Sequence, residues 1–257
     1  MLTIKLAFRN TLRNKRRTFL ASLAIGIGLA GLIFVDAVYL GMSENMIKLA
    51  TSTFMGDAQI THRDFRDTFD GKYKLEHKQN IIKELEKESI VKTYSLRVAS
   101  FAMISSSSDA SSIILYGINP ETEKNTSKIK DAVIYGNYLQ SDNPHSIIVG
   151  EKLSKKLETE IGDRIVITSS NTKTDEIAQS MFIVEGIYKF GNNHMDSSMA
   201  FVNIKQAQSL FGLEDGVNEI VIKFTNLHIA LDKTLPFWKK YSKGTNVAED
   251  WDEIFSE

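Results

Sequence analysis

Hydrophobic positions fall into two regimes along the chain: one unbroken run near the amino terminus, and many short alternating runs after it. From Phe19 to Val35, 17 consecutive residues carry no charge, and Ala37-Val38-Tyr39-Leu40 extend the run past the single Asp36. At about 1.5 Å of rise per helical residue, some 20 residues cross a hydrocarbon core of about 30 Å, so the run is just long enough to span a bilayer. Residues 18–41 are therefore predicted to form one transmembrane helix. Glu44 to Phe54 reads as its continuation into whatever follows.

Beyond the span the periodicity alternates between two and 3.6 residues. Strand-like runs lie at 57–62, 91–104, 112–118, 147–149, 164–168, 181–188, 199–203 and 219–224, and helical patterns at 77–88, 151–159 and 204–211. The serine-rich turn from Ser105 to Ser111 marks a hairpin between two of the strands. The fold class predicted is α+β: one amino-terminal transmembrane helix followed by a mixed α+β extracytoplasmic domain in two lobes, with residues from about 121 to 195 inserted into a sheet-and-helix body.

Charge gives the span a direction. Lys5, Arg9, Arg13, Lys15, Arg16 and Arg17 precede it with no acidic residue among them, leaving 25 basic against 32 acidic residues in the remainder. The positive-inside rule places that basic foot in the cytoplasm and the bulk of the chain on the far side. Residues 1–17 read as an amphipathic basic helix along the inner leaflet, or as a solvated basic tail. The expected organisation is a foot at 1–17, a span at 18–41 and an exported domain at 42–257. A body with net negative charge and no basic cluster does not suit nucleic acid.

Two other readings compete for the span. Arg16-Arg17-Thr18-Phe19-Leu20 resembles a twin-arginine export signal, with Val35-Asp36-Ala37 fitting a cleavage site. Gly26-Ile27-Gly28-Leu29-Ala30-Gly31 matches a dinucleotide-binding fingerprint, but neither the strand nor the acidic residue such a site requires surrounds it. The small residues have a simpler use: Ser22, Gly26 and Ala30 form a stripe at i, i+4 and i+8 along which another membrane helix could pack closely.

Candidate chemistry is sparse. No phosphate-binding G-x-x-x-x-G-K-[ST] loop occurs, the five histidines are scattered without ligand spacing, there is no cysteine, and no serine lies in a nucleophile elbow. His194-Met195-Asp196 is the one tight polar cluster, and it reads more readily as a satisfied loop than as a catalytic site. No catalytic residue, metal or cofactor is expected.

Several stretches carry a family resemblance. Ile4 through Arg17 running into a membrane helix resembles the opening of FtsX-like permeases, which include macrolide-exporter and lipoprotein-releasing permeases. Tyr116-Gly117-Ile118-Asn119-Pro120, Gly136-Asn137-Tyr138-Leu139, Ile147 through Asp163, and Phe182 through Gln208 are similar, in order and spacing, to the periplasmic core domain of that family. Tyr188-Lys189-Phe190-Gly191 followed by Asp196 resembles the lipoprotein-releasing branch most. The resemblance implies an inner-membrane ABC transporter permease that transmits ATP-driven motion to its periplasmic domain. It implies an ATPase subunit as partner, a second permease subunit in a homo- or heterodimer, and a lipoprotein or its periplasmic carrier as the species handled. A protruding hairpin for carrier docking would correspond to the connection Ser169 to Ser180, with Asn171, Thr172, Lys173, Thr174 and Asp175 at its tip; that connection is short, polar and without proline, and the plain alternative is a solvated turn. Family members continue into three more membrane helices. No run of ten apolar residues follows Phe224, so a truncated or split form is expected. A relative in cell division gives the alternative of an anchored scaffold without transport.

Overall fold

The structure, a computed structural model, describes residues 13–256. Most of the basic foot expected over 1–17 lies outside the described residues. The chain divides into two compact units, up to Leu49 and from Ala50 onward.

The first unit holds helix α1, Lys15–Ala50, 36 residues long. Its segment Lys15–Met42 is long and apolar enough to cross a membrane, and none of it is buried. Ile25, Leu32 and Phe34 are each about 70% exposed. A helix of this length that is apolar on all sides has the composition of a candidate membrane span.

The second unit is built on a single ten-stranded sheet. Its strands are β1 (Ala58–His62), β2 (Val91–Ser105), β3 (Ala110–Ile118), β4 (Val133–Gly136), β5 (Ser146–Gly150), β6 (Arg164–Ser170), β7 (Ile177–Tyr188), β8 (Met199–Asn203), β9 (Glu219–Phe224) and β10 (Asn246–Asp250). They run in the order β10-β1-β9-β2-β3-β8-β5-β7-β4, with β6 bridging β2 and β7. The helices are α2 (Phe65–Thr68), α3 (Lys78–Leu85), α4 (Pro120–Thr126), α5 (Glu151–Leu157), α6 (Asn193–Ser198), α7 (Ile204–Phe211), α8 (Pro236–Tyr241) and α9 (Trp251–Ser256).

Most strand and helix positions follow the periodicity of the sequence. Beta β2 is the longest strand because its Val91–Arg97 half pairs with β9 while its Arg97–Ser105 half pairs with β3. The parallel pair of β3 with β8 is covered by α7, which Asn203 caps by accepting a bond from the Lys205 amide at 3.2 Å. Helix and sheet meet closely there: a Cβ on Gly117 would lie 2.3 Å from that of Ala207. The strands of the expected insertion, β5, β7 and β4, continue the same sheet through the pairing of β5 with β8.

The sequence pattern assigned no element after Phe224, yet β10 closes one side of the sheet by pairing with β1. Its sequence, Asn-Val-Ala-Glu-Asp, offers little apolar alternation because its inward Asn246 and Asp250 are polar and buried. The expected helix to Phe54 also changes character: regular α-helix ends at Ala50, and Thr51–Met55 forms one π-helical turn. Such turns are rare and tend to mark functional positions.

Candidate functional site

The π-turn roots the body, and the core forms around it. Phe54 is 1% exposed, with its ring 4.7 Å from that of Tyr116 and 5.4 Å from that of Phe201. Tyr188 and Phe65 belong to the same cluster.

A helix end leaves its last carbonyls without intrahelical partners. Here three of the turn's carbonyls are met by different parts of the body. The Lys128 amide donates to the Thr53 carbonyl at 3.1 Å, the Arg97 guanidinium to that of Phe54 at 2.6 Å, and the Gln59 side chain to that of Met55 at 2.8 Å. Gly56 then turns the chain into β1 with φ of +76°, a left-handed conformation that suits glycine.

Arg97 is the hub. It reaches from β2, fully buried, and donates through Nε and Nη2 to Glu123 of α4 at 3.2 and 2.6 Å, and through Nη1 to Glu219 of β9 at 2.9 Å. Its guanidinium carbon also stands 3.9 Å from the Phe54 ring centroid. A planar fork with five donors can serve two carboxylates and a carbonyl at once, where an ammonium is a point charge. A cation at this end also opposes the negative pole of the helix.

Two buried carboxylates share this one cation, and Glu123 and Glu219 are 0% and 4% exposed. Burial raises the Glu219 pKa above the usual carboxylate range against the pull of Arg97 and Arg66. The buried Tyr116 phenol is raised for the same dominant reason.

The next residues are tied as firmly. Asp57 accepts from Lys223 Nζ at 2.8 Å and from the Phe224 amide at 3.0 Å. Arg66 links Gln59, at 3.2 Å, to Glu249 of β10, at 2.9 Å. Residues 53–66 are thereby held by β2, α4, β9 and β10 together. Sequence reasoning passed over Arg97; the available signal was an arginine inside the otherwise apolar stretch Leu96-Arg97-Val98-Ala99.

The positions singled out in the sequence are separate from this root. Ser22, Gly26 and Ala30 are exposed on α1, and a Cβ on Gly26 would meet nothing within 4 Å. Asn171 to Asp175 form the turn between β6 and β7, which is shorter than expected because both strands extend to Ser170 and Ile177. The turn leans on the body: the Thr172 amide and hydroxyl both donate to the Phe211 carbonyl at 2.9 Å, and Lys173 pairs with Glu214 at 2.7 Å. Next to it Phe101 and Met103 of β2 and Ile177, Met181 and Ile183 of β7 are exposed large apolar side chains. The register Met103 to Thr168 to Gln179 sets them on one face of the sheet.

The cluster around His194 is structural. Asp196 accepts from the Phe190 and Gly191 amides at 2.8 and 3.0 Å, and the Tyr188 hydroxyl donates to the Met195 and Met199 carbonyls.

Comparison with known proteins agrees with this architecture. The periplasmic region of MacB from Actinobacillus actinomycetemcomitans superposes with a TM-score of 0.51 at 14% identity, covering 79% of this chain and 92% of that one. The extracellular domain of the ABC-type transporter YknZ from Gram-positive bacteria gives 0.51 at 12% identity, covering 76% and 99%. At such identities the likeness is one of fold. In sequence, the lipoprotein-releasing system transmembrane protein LolC of Xylella fastidiosa is 25% identical over 54% of this chain and 34% of its own length. LolC of Neisseria meningitidis serogroup B is 22% identical over 91% of this chain and 55% of its own length. The chain thus spans between a third and about half of these relatives. A family of periplasmic domains together with an apolar helix of spanning length points to a membrane-anchored protein. Residues 18–228 match the MacB-like periplasmic core domain, and the chain belongs to that family.

Proposed function

We propose that the chain is the amino-terminal part of a permease subunit of an ABC exporter that releases lipoproteins from the inner membrane. Residues 1–17 lie on the cytoplasmic face, 18–41 cross the bilayer and 42–257 stand in the periplasm, with the segment 121–195 as a lobe of that domain. ATP is hydrolysed on a separate subunit, and a second permease subunit packs along Ser22, Gly26 and Ala30. The cargo or its carrier meets the body at the turn Asn171–Asp175 and the apolar strip beside it, since exposed apolar patches of this kind serve as contact surfaces. The names of the LolC relatives support the cargo class.

One observation carries the mechanical part. Helix α1 runs directly into a π-turn whose carbonyls the body caps, which supports residues 53–57 as the point where motion of the helix enters the body. Breaking α1 with Asn45→Pro tests this in the assembled transporter. The expected result is lost export with the ATPase subunit still co-purifying. Export at the wild-type rate, or a chain that never captures an ATPase, overturns the reading. Protease added outside intact spheroplasts checks the topology, and a body left uncut would place it on the wrong side.

A further inference from the structure

We infer that Arg97 is the positioning residue that holds the π-turn following the membrane helix to the periplasmic sheet, an inference resting on the transmission reading above. Three segments far apart in sequence converge on the guanidinium that β2 presents: the π-turn at Phe54, α4 at Glu123 and β9 at Glu219. Burying an ion triad of this kind contributes little to stability that a well-packed apolar trio would not supply. What apolar side chains cannot do is bond the terminal carbonyl of a helix while being held from both sides. The four guanidinium hydrogen bonds run from 2.6 to 3.2 Å, and the guanidinium carbon stands over the Phe54 ring at 3.9 Å. The π-turn is therefore held in one position relative to β2 and β9. Loss of the fork leaves Phe54 in the aromatic cluster but frees its carbonyl, and the turn can then slip as side chains repack.

The test uses the full-length chain in the assembled transporter. Arg97→Met combined with Glu123→Gln and Glu219→Gln removes the triad with no buried charge left unpaired. Asn45→Pro serves as the reference for broken transmission. Three quantities are read: the unfolding midpoint, amide hydrogen exchange over residues 55–58, and export per ATP hydrolysed. The expected result is a triple variant that keeps a cooperative unfolding transition, exchanges at the root about tenfold or more faster through local opening, and falls several-fold in export per ATP toward the Asn45→Pro level. A folded triple variant with wild-type root exchange overturns the inference, as does faster exchange with wild-type export per ATP. Where the triple variant does not fold, Arg97→Lys decides on the same readings, because it keeps the charge and loses the fork. Wild-type export by Asn45→Pro removes the transmission reading itself. A defective Asn45→Pro beside a normal triple variant removes only the role of Arg97.

Discussion

The root of the body and the β6–β7 turn both use ion pairs to hold a connection, but in opposite dielectric settings. At the root, Arg97, Glu123 and Glu219 are sealed from water around a helix end. At the turn, Lys173 and Glu214 pair with their side chains 66% and 70% exposed. A buried pair is expensive to assemble and costly to break, whereas an exposed pair is solvated in either state. The difference separates a joint built to keep one geometry from an exposed turn whose charged groups are free to rearrange.

The comparison breaks most severely at Arg97. Replacing it alone with Met leaves Glu123 and Glu219 buried without their cation, and the expected loss is about 3–5 kcal/mol, measurable as a fall in the urea midpoint. Restoring charge balance with the two Gln substitutions should recover much of that loss, which distinguishes an unpaired charge from a packing defect.

Gly56→Ala comes next. Its φ of +76° is strained for alanine, and the added Cβ would lie 2.3 Å from Val221 Cγ1. An expected cost of about 1–3 kcal/mol follows from overpacking and left-handed strain, readable in the same denaturation experiment. Gly26→Ala on α1, which meets nothing within 4 Å, is the matched control and should leave the body unchanged.

Glu219→Gln sharpens the electrostatic side. Burial raises the Glu219 pKa above its ordinary 4.5, so between the ordinary and the raised value the folded state holds a proton that the unfolded chain has released. The resulting stabilisation is present below the ordinary value and is lost as pH rises through the raised one. Wild-type stability should accordingly fall over that window, and Glu219→Gln, which keeps an acceptor for Arg97 Nη1, should flatten the fall. Urea titrations from about pH 4 to about pH 8 show it; an identical slope in both proteins would place the proton elsewhere.

What the sequence revealed divides along the same line. The apolar helix was legible as an unbroken hydrophobic run, and α7 because its buried Ala207, Leu210 and Phe211 recur at helical spacing. Strand β10 was not, because two of its three inward positions, Asn246 and Asp250, are polar; Asn246 accepts from the Glu76 amide at 3.1 Å and donates to the Glu76 carbonyl at 3.0 Å. The root was illegible for a related reason. Its partners stand at positions 54, 97, 123 and 219, and no local pattern joins residues that meet only after the sheet has formed. The turn Asn171–Asp175 was legible as a turn from composition, but its attachment to Phe211 through Thr172 was not.

The smallest expected effect lies at that turn. Glu214 raises the Lys173 pKa mainly through their hydrogen bond, and Lys173 lowers that of Glu214 in return, but both groups are open to solvent. Lys173→Ala should therefore leave the unfolding midpoint where it is, and added salt should not distinguish the variant from wild type, because the screened pair contributes almost nothing to lose. The bonds of the Thr172 amide and hydroxyl to the Phe211 carbonyl remain and keep the turn in place. If Lys173→Ala instead shifted the midpoint as Gly56→Ala does, the turn would be a structural joint like the root, and the apolar strip beside it would lose its claim to be the face held open for a partner.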